Sequence, residues 1–146
     1  MLLKKFNTVD EYKNHFLNAY CRKPIITFDG IPVYFDISRF SHCFYESSKR
    51  DGVKDMFSTD RAERIDWIKL TLENKQAKLY QGWDKNTRSY DCFSRVAIVY
   101  QDYVVVIRLL KNKQGTYKAK FITAYVADNS INKIIGSPEW KWEDLL

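Results

Sequence analysis

Cysteine is scarce in this chain and unpaired. Cys21, Cys43 and Cys92 are an odd number with neither CxxC nor Cys/His ligand spacing, so no disulfide framework and no zinc site is indicated. Reduced thiols and a cytoplasmic protein are expected. Histidine is scarcer still, with only His15 and His42, and two distant imidazoles among scattered carboxylates are too few to build a metal centre. Any hydrolysis is expected to proceed without a metal or other cofactor. Five scattered glycines and three prolines make no linker, so residues 1–146 are read as one domain. The start, "MLLKKFNTVDEYK", turns charged too early for a signal peptide, and no stretch approaches the ~18 apolar residues of a membrane span. No membrane partner is expected.

What the chain does have is aromatic side chains and positive charge. Ten tyrosines, nine phenylalanines and four tryptophans make 16% of the residues, and 45% are hydrophobic, enough to fill a core at this length. Lysine and arginine number 24 against 18 acidic residues, a formal charge of +6, which favours polyanions as partners.

The pattern along the chain predicts an α+β protein with helices first and sheet second. Thr8 or Asp10 caps a first helix running to about Tyr20. "PIITFDGIPVYFD" reads as a hairpin about Asp29-Gly30. A second helix is predicted from Ile37 to Ser47, followed by the loop "KRDGVKD". Ser58 or Thr59 caps a third, whose Ala62, Ile65, Ile68 and Leu72 recur on one face. From Ala77 the runs "AKLYQGW", "RVAIVY", "YVVVIRLL" and "TYKAKFITAYV" read as strands, the last three joined as an antiparallel meander by the short links "QD" and "KNKQG". The resulting sheet has about four strands. After Asp128 a turn of helix and a tail are expected, with Trp140 and Trp142 folding back on the body.

His42 is the candidate for chemistry. Helical projection puts Ile37, Phe40 and Phe44 on one side of the second helix and Arg39, His42, Glu46 and Lys49 on the other. Glu46, at i+4, is placed to orient the ring or raise its pKa. In the last strand, alternation sets Phe121, Thr123 and Tyr125 on one face and Lys120, Ile122 and Ala124 on the other. Arg95 opens one meander strand and Arg108 interrupts another; a guanidinium held on a sheet can grip a phosphate bidentately. Arg61 and Arg64 are weaker candidates, having Glu63 and Asp66 beside them on an exposed helix. His15, with no acid/base partner or ligand spacing beside it, is read as structural or surface. Tyr80, Trp83 and Tyr90 are read as core residues first and base-stacking residues second.

With His42, "RAERIDWIKLTL", "RVAIVYQDYVVVIRLL" and the terminal "FITAY" in this order, residues 37–125 resemble phage- and toxin-associated nucleases of the barnase–EndoU–colicin–RelE superfamily. The resemblance implies helices packed on a four-stranded antiparallel sheet, with a nuclease core over about 37–126 and a tail over 129–146. It implies a metal-independent endoribonuclease, a toxin or phage-encoded effector, in which a 2′-hydroxyl attacks the adjacent phosphate. His42 would transfer protons, Arg95 would hold the phosphate, and Thr123 with Tyr125 would position or donate. Where such nucleases commonly carry a second histidine, this chain has Lys49 and Arg50, cast with Arg108 as substrate-binding cations. RNA is the implied partner, with an acidic antitoxin or immunity protein as a second. The alternatives are a non-catalytic RNA- or protein-binding module on the same fold, and an interaction protein that uses the sheet only as a scaffold.

Overall fold

A computed structural model describes residues 1–142. The fold is α+β. Its helices are α1 (Val9–Phe16), α2 (Arg39–Phe44), α3 (Thr59–Ala62), α4 (Ile65–Glu73) and α5 (Ile131–Ile135). Its strands are β1 (Ile25–Ile26), β2 (Pro32–Tyr34), β3 (Tyr45–Glu46), β4 (Met56–Phe57), β5 (Lys78–Asp84), β6 (Ser89–Tyr100), β7 (Tyr103–Lys111) and β8 (Tyr117–Val126).

The main sheet has six strands in the order β1-β2-β8-β7-β6-β5, and it is mixed rather than purely antiparallel. The four strands expected, with the last three as an antiparallel meander, are its β5–β8 part. The β1–β2 hairpin adds the other two strands, with β2 docking parallel to β8 through Val33↔Ala119 and Tyr34↔Lys120. That pairing joins residues far apart in the chain and leaves no local periodicity to read. The hairpin is also looser than an Asp-Gly two-residue turn: residues 27–31 form the loop, with Gly30 at φ 92° and the Thr27 hydroxyl accepting from the Ile31 N–H.

One face of the sheet carries the helices. Phe16 is the hub of this layer, its ring 5.6–6.2 Å from those of Tyr20, Phe35, Phe40, Phe44 and Phe121. The aromatic excess is therefore spent on a buried ring cluster joining α1, α2 and β8, with additional edge-to-face and offset attraction between the rings. Ala62, Ile65, Ile68 and Leu72 are all buried, as their spacing predicts, with Ser58 capping α3 and Thr8 capping α1. The core extends beyond residues 37–126 in both directions. Phe16, Tyr20 and Val33 lie before that span, and Trp140 after it is buried with its indole N–H donating to the Cys92 carbonyl. Residues 137–140 return along β5, where the Gln81 and Trp140 amides donate to the Pro138 and Leu79 carbonyls. Trp142 packs on Trp140 at 5.2 Å; the rest of the expected tail, 143–146, lies outside the described residues.

The opposite face is more open. Val99, Val104, Val106 and Ala127 form a small second cluster there, flanked by Ile122, Tyr125 and, from α5, Ile131 and Ile134. No helix among the described residues is long and apolar enough to cross a membrane.

Candidate functional site

The second helix is shorter than its pattern predicts, and this reshapes the site. It ends at Phe44 because Tyr45 turns extended (φ −111°, ψ 151°) and pairs with Phe57 in the β3–β4 ribbon. Phe40, Cys43 and Phe44 are buried against the ring cluster, which turns His42 outward. Glu46 therefore does not stand one helical turn from His42; it lies in β3, and its carboxylate is taken by Arg61 (Nε–Oε1 3.3 Å).

β2 pairs with β8 at Ala119 and Lys120, and beyond Lys120 this edge of β8 has no strand partner among the described residues. Helix α2 supplies the missing donors. The Arg39 guanidinium donates twice to the Ile122 carbonyl (2.9 and 2.7 Å), and the Cys43 thiol donates to the Ala124 carbonyl (3.4 Å). Capping a bare strand edge in this way satisfies backbone acceptors and fixes the helix that carries His42. The Thr123 side chain also reaches the Cys43 thiol, whose burial pushes its pKa up to about 11.

Simple alternation fails in β8. Val106 pairs with Thr123 but Ile107 pairs with Phe121, so Ile122 is an extra residue in a bulge. Phe121 faces the helices, whereas beyond the bulge Ala124 faces them and Tyr125 joins the open-face cluster. Phe121 and Tyr125 thus do not share a face as expected. The bulge sets Tyr125 on the open side, beside the edge that α2 covers.

Arg95 is placed by a second irregularity. β5 and β6 pair through Gln81↔Val96 and then Gly82↔Asp91, so residues 92–95 loop out of the ladder. Arg95 returns against Gly82, where a Cβ would collide with its carbonyl and side chain. Glycine is required there by the close approach, not by φ.

These deviations bring residues from three distant segments into one electrostatic neighbourhood. His42 is exposed, and its pKa is lowered from 6.5 first by partial desolvation and then by repulsion from Arg39, Lys54, Arg95 and Arg61. The charged form of the imidazole is disfavoured there. Tyr125 is held above its usual 10 by desolvation, with Arg95 and Arg61 acting in the opposite direction. Arg95 and Arg61 are therefore common neighbours of both groups. Arg61 and Tyr125 also line a cleft of about 300 Å³ with Glu46, Asp60, Arg64 and Tyr103.

No protein family, curated protein or solved structure compared with the chain matches it.

The other sequence candidates are distributed differently. Lys49 and Arg50 sit in the exposed β3–β4 loop, Arg50 with φ 53°, while Lys54 from that loop is the cation acting on His42. Arg108 is exposed on the open face opposite Lys120 of β8. Trp83 and Tyr90, expected in the core, are 49% and 42% exposed and pack edge-to-face at 5.2 Å near the β5–β6 turn. His15 does have a partner, the Asp66 carboxylate at 2.7 Å, 51 residues away. Sequence reasoning undervalued Arg61 and missed Lys54. Arg61 alternates with acids along a helix and resembles a solvated charge, and Lys54 becomes a neighbour of His42 only when β3 and β4 pair.

Proposed function

We propose that the chain is a metal-independent endoribonuclease acting at the His42 site, of the kind implied by its resemblance to the barnase–EndoU–colicin–RelE nucleases. The observation that carries this reading is that Arg39, Lys54, Arg61 and Arg95 all act electrostatically on the exposed His42, and that Tyr125 feels two of those cations and lines a cleft with Arg61. Cleavage of RNA by its own 2′-hydroxyl requires a base for that proton, a donor for the departing 5′ oxygen and cations for the phosphorane. His42, kept neutral by its surroundings, is the base. Tyr125, kept protonated by desolvation, is the donor. Arg95 and Arg61 bind the phosphate and offset its growing charge. Thr123 acts through Cys43 in positioning α2 rather than on substrate.

In this step the 2′ oxygen bonds to phosphorus as its proton passes to His42. The P–O5′ bond breaks and its oxygen takes the Tyr125 proton. The products are a 2′,3′-cyclic phosphate and a 5′-hydroxyl. End-group analysis of RNA incubated with the protein in EDTA tests the reading. Cyclic-phosphate ends are expected from the wild type. RNA left whole across single- and double-stranded substrates would sink it and favour a binding-only module on the same basic surface. Role in a toxin or phage effector, with an acidic inhibitor covering the cations, belongs to the same proposal.

A further inference from the structure

Register across the open face aligns side chains that sequence keeps apart. Val33, Ile107 and Ala119 face the helices, so their chain neighbours Tyr34, Arg108 and Lys120 face the other way, and Arg95, next to the buried Val96, is exposed. Tyr34 pairs with Lys120, Lys120 pairs with Arg108, and Arg95 immediately precedes Val96, the partner of Ile107. Tyr34, Lys120 and Arg108 thus form one row across β2, β8 and β7, and Arg95 of β6 lies just past its end. At roughly 4.8 Å between strands the row spans about 10 Å.

Nothing in folding explains this row. Lys120 and Arg108 are like charges directly opposite one another, an arrangement that destabilises a sheet. Asp36 lies near enough to Lys120 to feel its charge, yet among the described residues none of the three cations is in an ion pair. Tyr34 at one end is 48% exposed. At the other, Gly82 abuts Arg95, and its strand neighbour Trp83 is exposed with Tyr90.

Resting on the ribonuclease reading, we infer that this row is the path of single-stranded RNA, which crosses the strands from Tyr34 toward Arg95, the cation that also acts on His42. Cations at strand spacing suit successive phosphates, and open aromatic rings suit unpaired bases, which a duplex keeps stacked on each other.

The test measures binding of a 2′-O-methylated single-stranded oligonucleotide, which cannot be cleaved by its own 2′-hydroxyl, over a range of salt. Arg108→Gln with Lys120→Gln is expected to weaken binding at least tenfold and to flatten the log affinity–log salt slope by about 1.4, two contacts at about 0.7 each. The same pair should raise Tm or leave it unchanged, because a like-charge pair is removed. Tyr34→Ala is expected to cost roughly 5- to 100-fold with the slope unchanged. A matched RNA duplex should bind more weakly to the wild type. Unaltered affinity and slope in the double variant would overturn the path while leaving the ribonuclease reading intact, since that rests on cyclic-phosphate ends. Equal affinity for the duplex, or no binding of the single strand at all, would overturn it too.

Discussion

His15 and His42 are the only histidines, and the fold treats them oppositely. His15 lies half-buried at 2.7 Å from Asp66, which Lys4 also approaches at 3.7 Å, with Phe6 tilted against its ring at 5.5 Å. His42 stands exposed on a six-residue helix, and among the described residues the charges named as acting on it, Arg39, Lys54, Arg95 and Arg61, are positive. An imidazole engaged by a carboxylate ties α1 to α4 and has a lone partner to serve. An imidazole with cations around it and no carboxylate partner is disfavoured in its charged form, which keeps a nitrogen lone pair available near neutral pH. The contrast separates a histidine paired with a carboxylate from one surrounded by cations, though local sequence around both is similarly polar and aromatic.

The largest effect that would sharpen this contrast is on the cations beside His42. Arg95→Gln is expected to slow RNA cleavage about 10²–10³-fold, as removal of a transition-state charge partner does, with the fold retained by circular dichroism. Tyr125→Phe should cost about 10²-fold if the phenol is the proton donor, and a rate unchanged within twofold would remove it from that role.

A subtler effect concerns pH. Because the folded pKa of His42 lies below 6.5, cleavage should fall on the acid side with a midpoint below that value. Arg95→Gln removes one repulsive neighbour, so the His42 midpoint followed by NMR should move up toward 6.5. A downward movement would break the electrostatic argument. Stability follows the same sign: the fold disfavours His42 protonation, so this residue's contribution declines as pH drops below 6.5 toward and through its lowered pKa. The smallest expected effect is on His15. Asp66→Asn should cost about 1 kcal/mol of stability, a charged hydrogen bond discounted for exposure, and leave cleavage unchanged.

Much of the fold can be read from local pattern. The meander follows from short links between β-branched runs, and the Ser58 cap and the buried face of Ala62, Ile65, Ile68 and Leu72 are read correctly, although the one helix they predict is split at residues 63–64 into α3 and α4. What cannot be read is set by contacts between distant segments. The parallel β2–β8 pairing, the early end of α2 where Tyr45 meets Phe57, and the His15–Asp66 contact all depend on partners remote in the chain. Alternation misassigned Phe121 relative to Tyr125, because one extra residue in β8 shifts the period-two register beyond it. His42 itself was legible because Phe40 and Phe44 mark the buried side of its helix. Its cationic neighbours were not, since Lys54 and Arg95 reach it only through the β3–β4 ribbon and the β6 excursion.

The most direct measurement compares His42→Ala and His15→Ala with the wild type for cleavage of a single-stranded RNA in EDTA under single-turnover conditions. The wild type and His15→Ala should cleave at similar rates below the melting range of the weaker variant, while His42→Ala should lose about 10²–10⁴-fold, the usual worth of a positioned acid–base group. Equal rates for His42→Ala and the wild type would contradict the account.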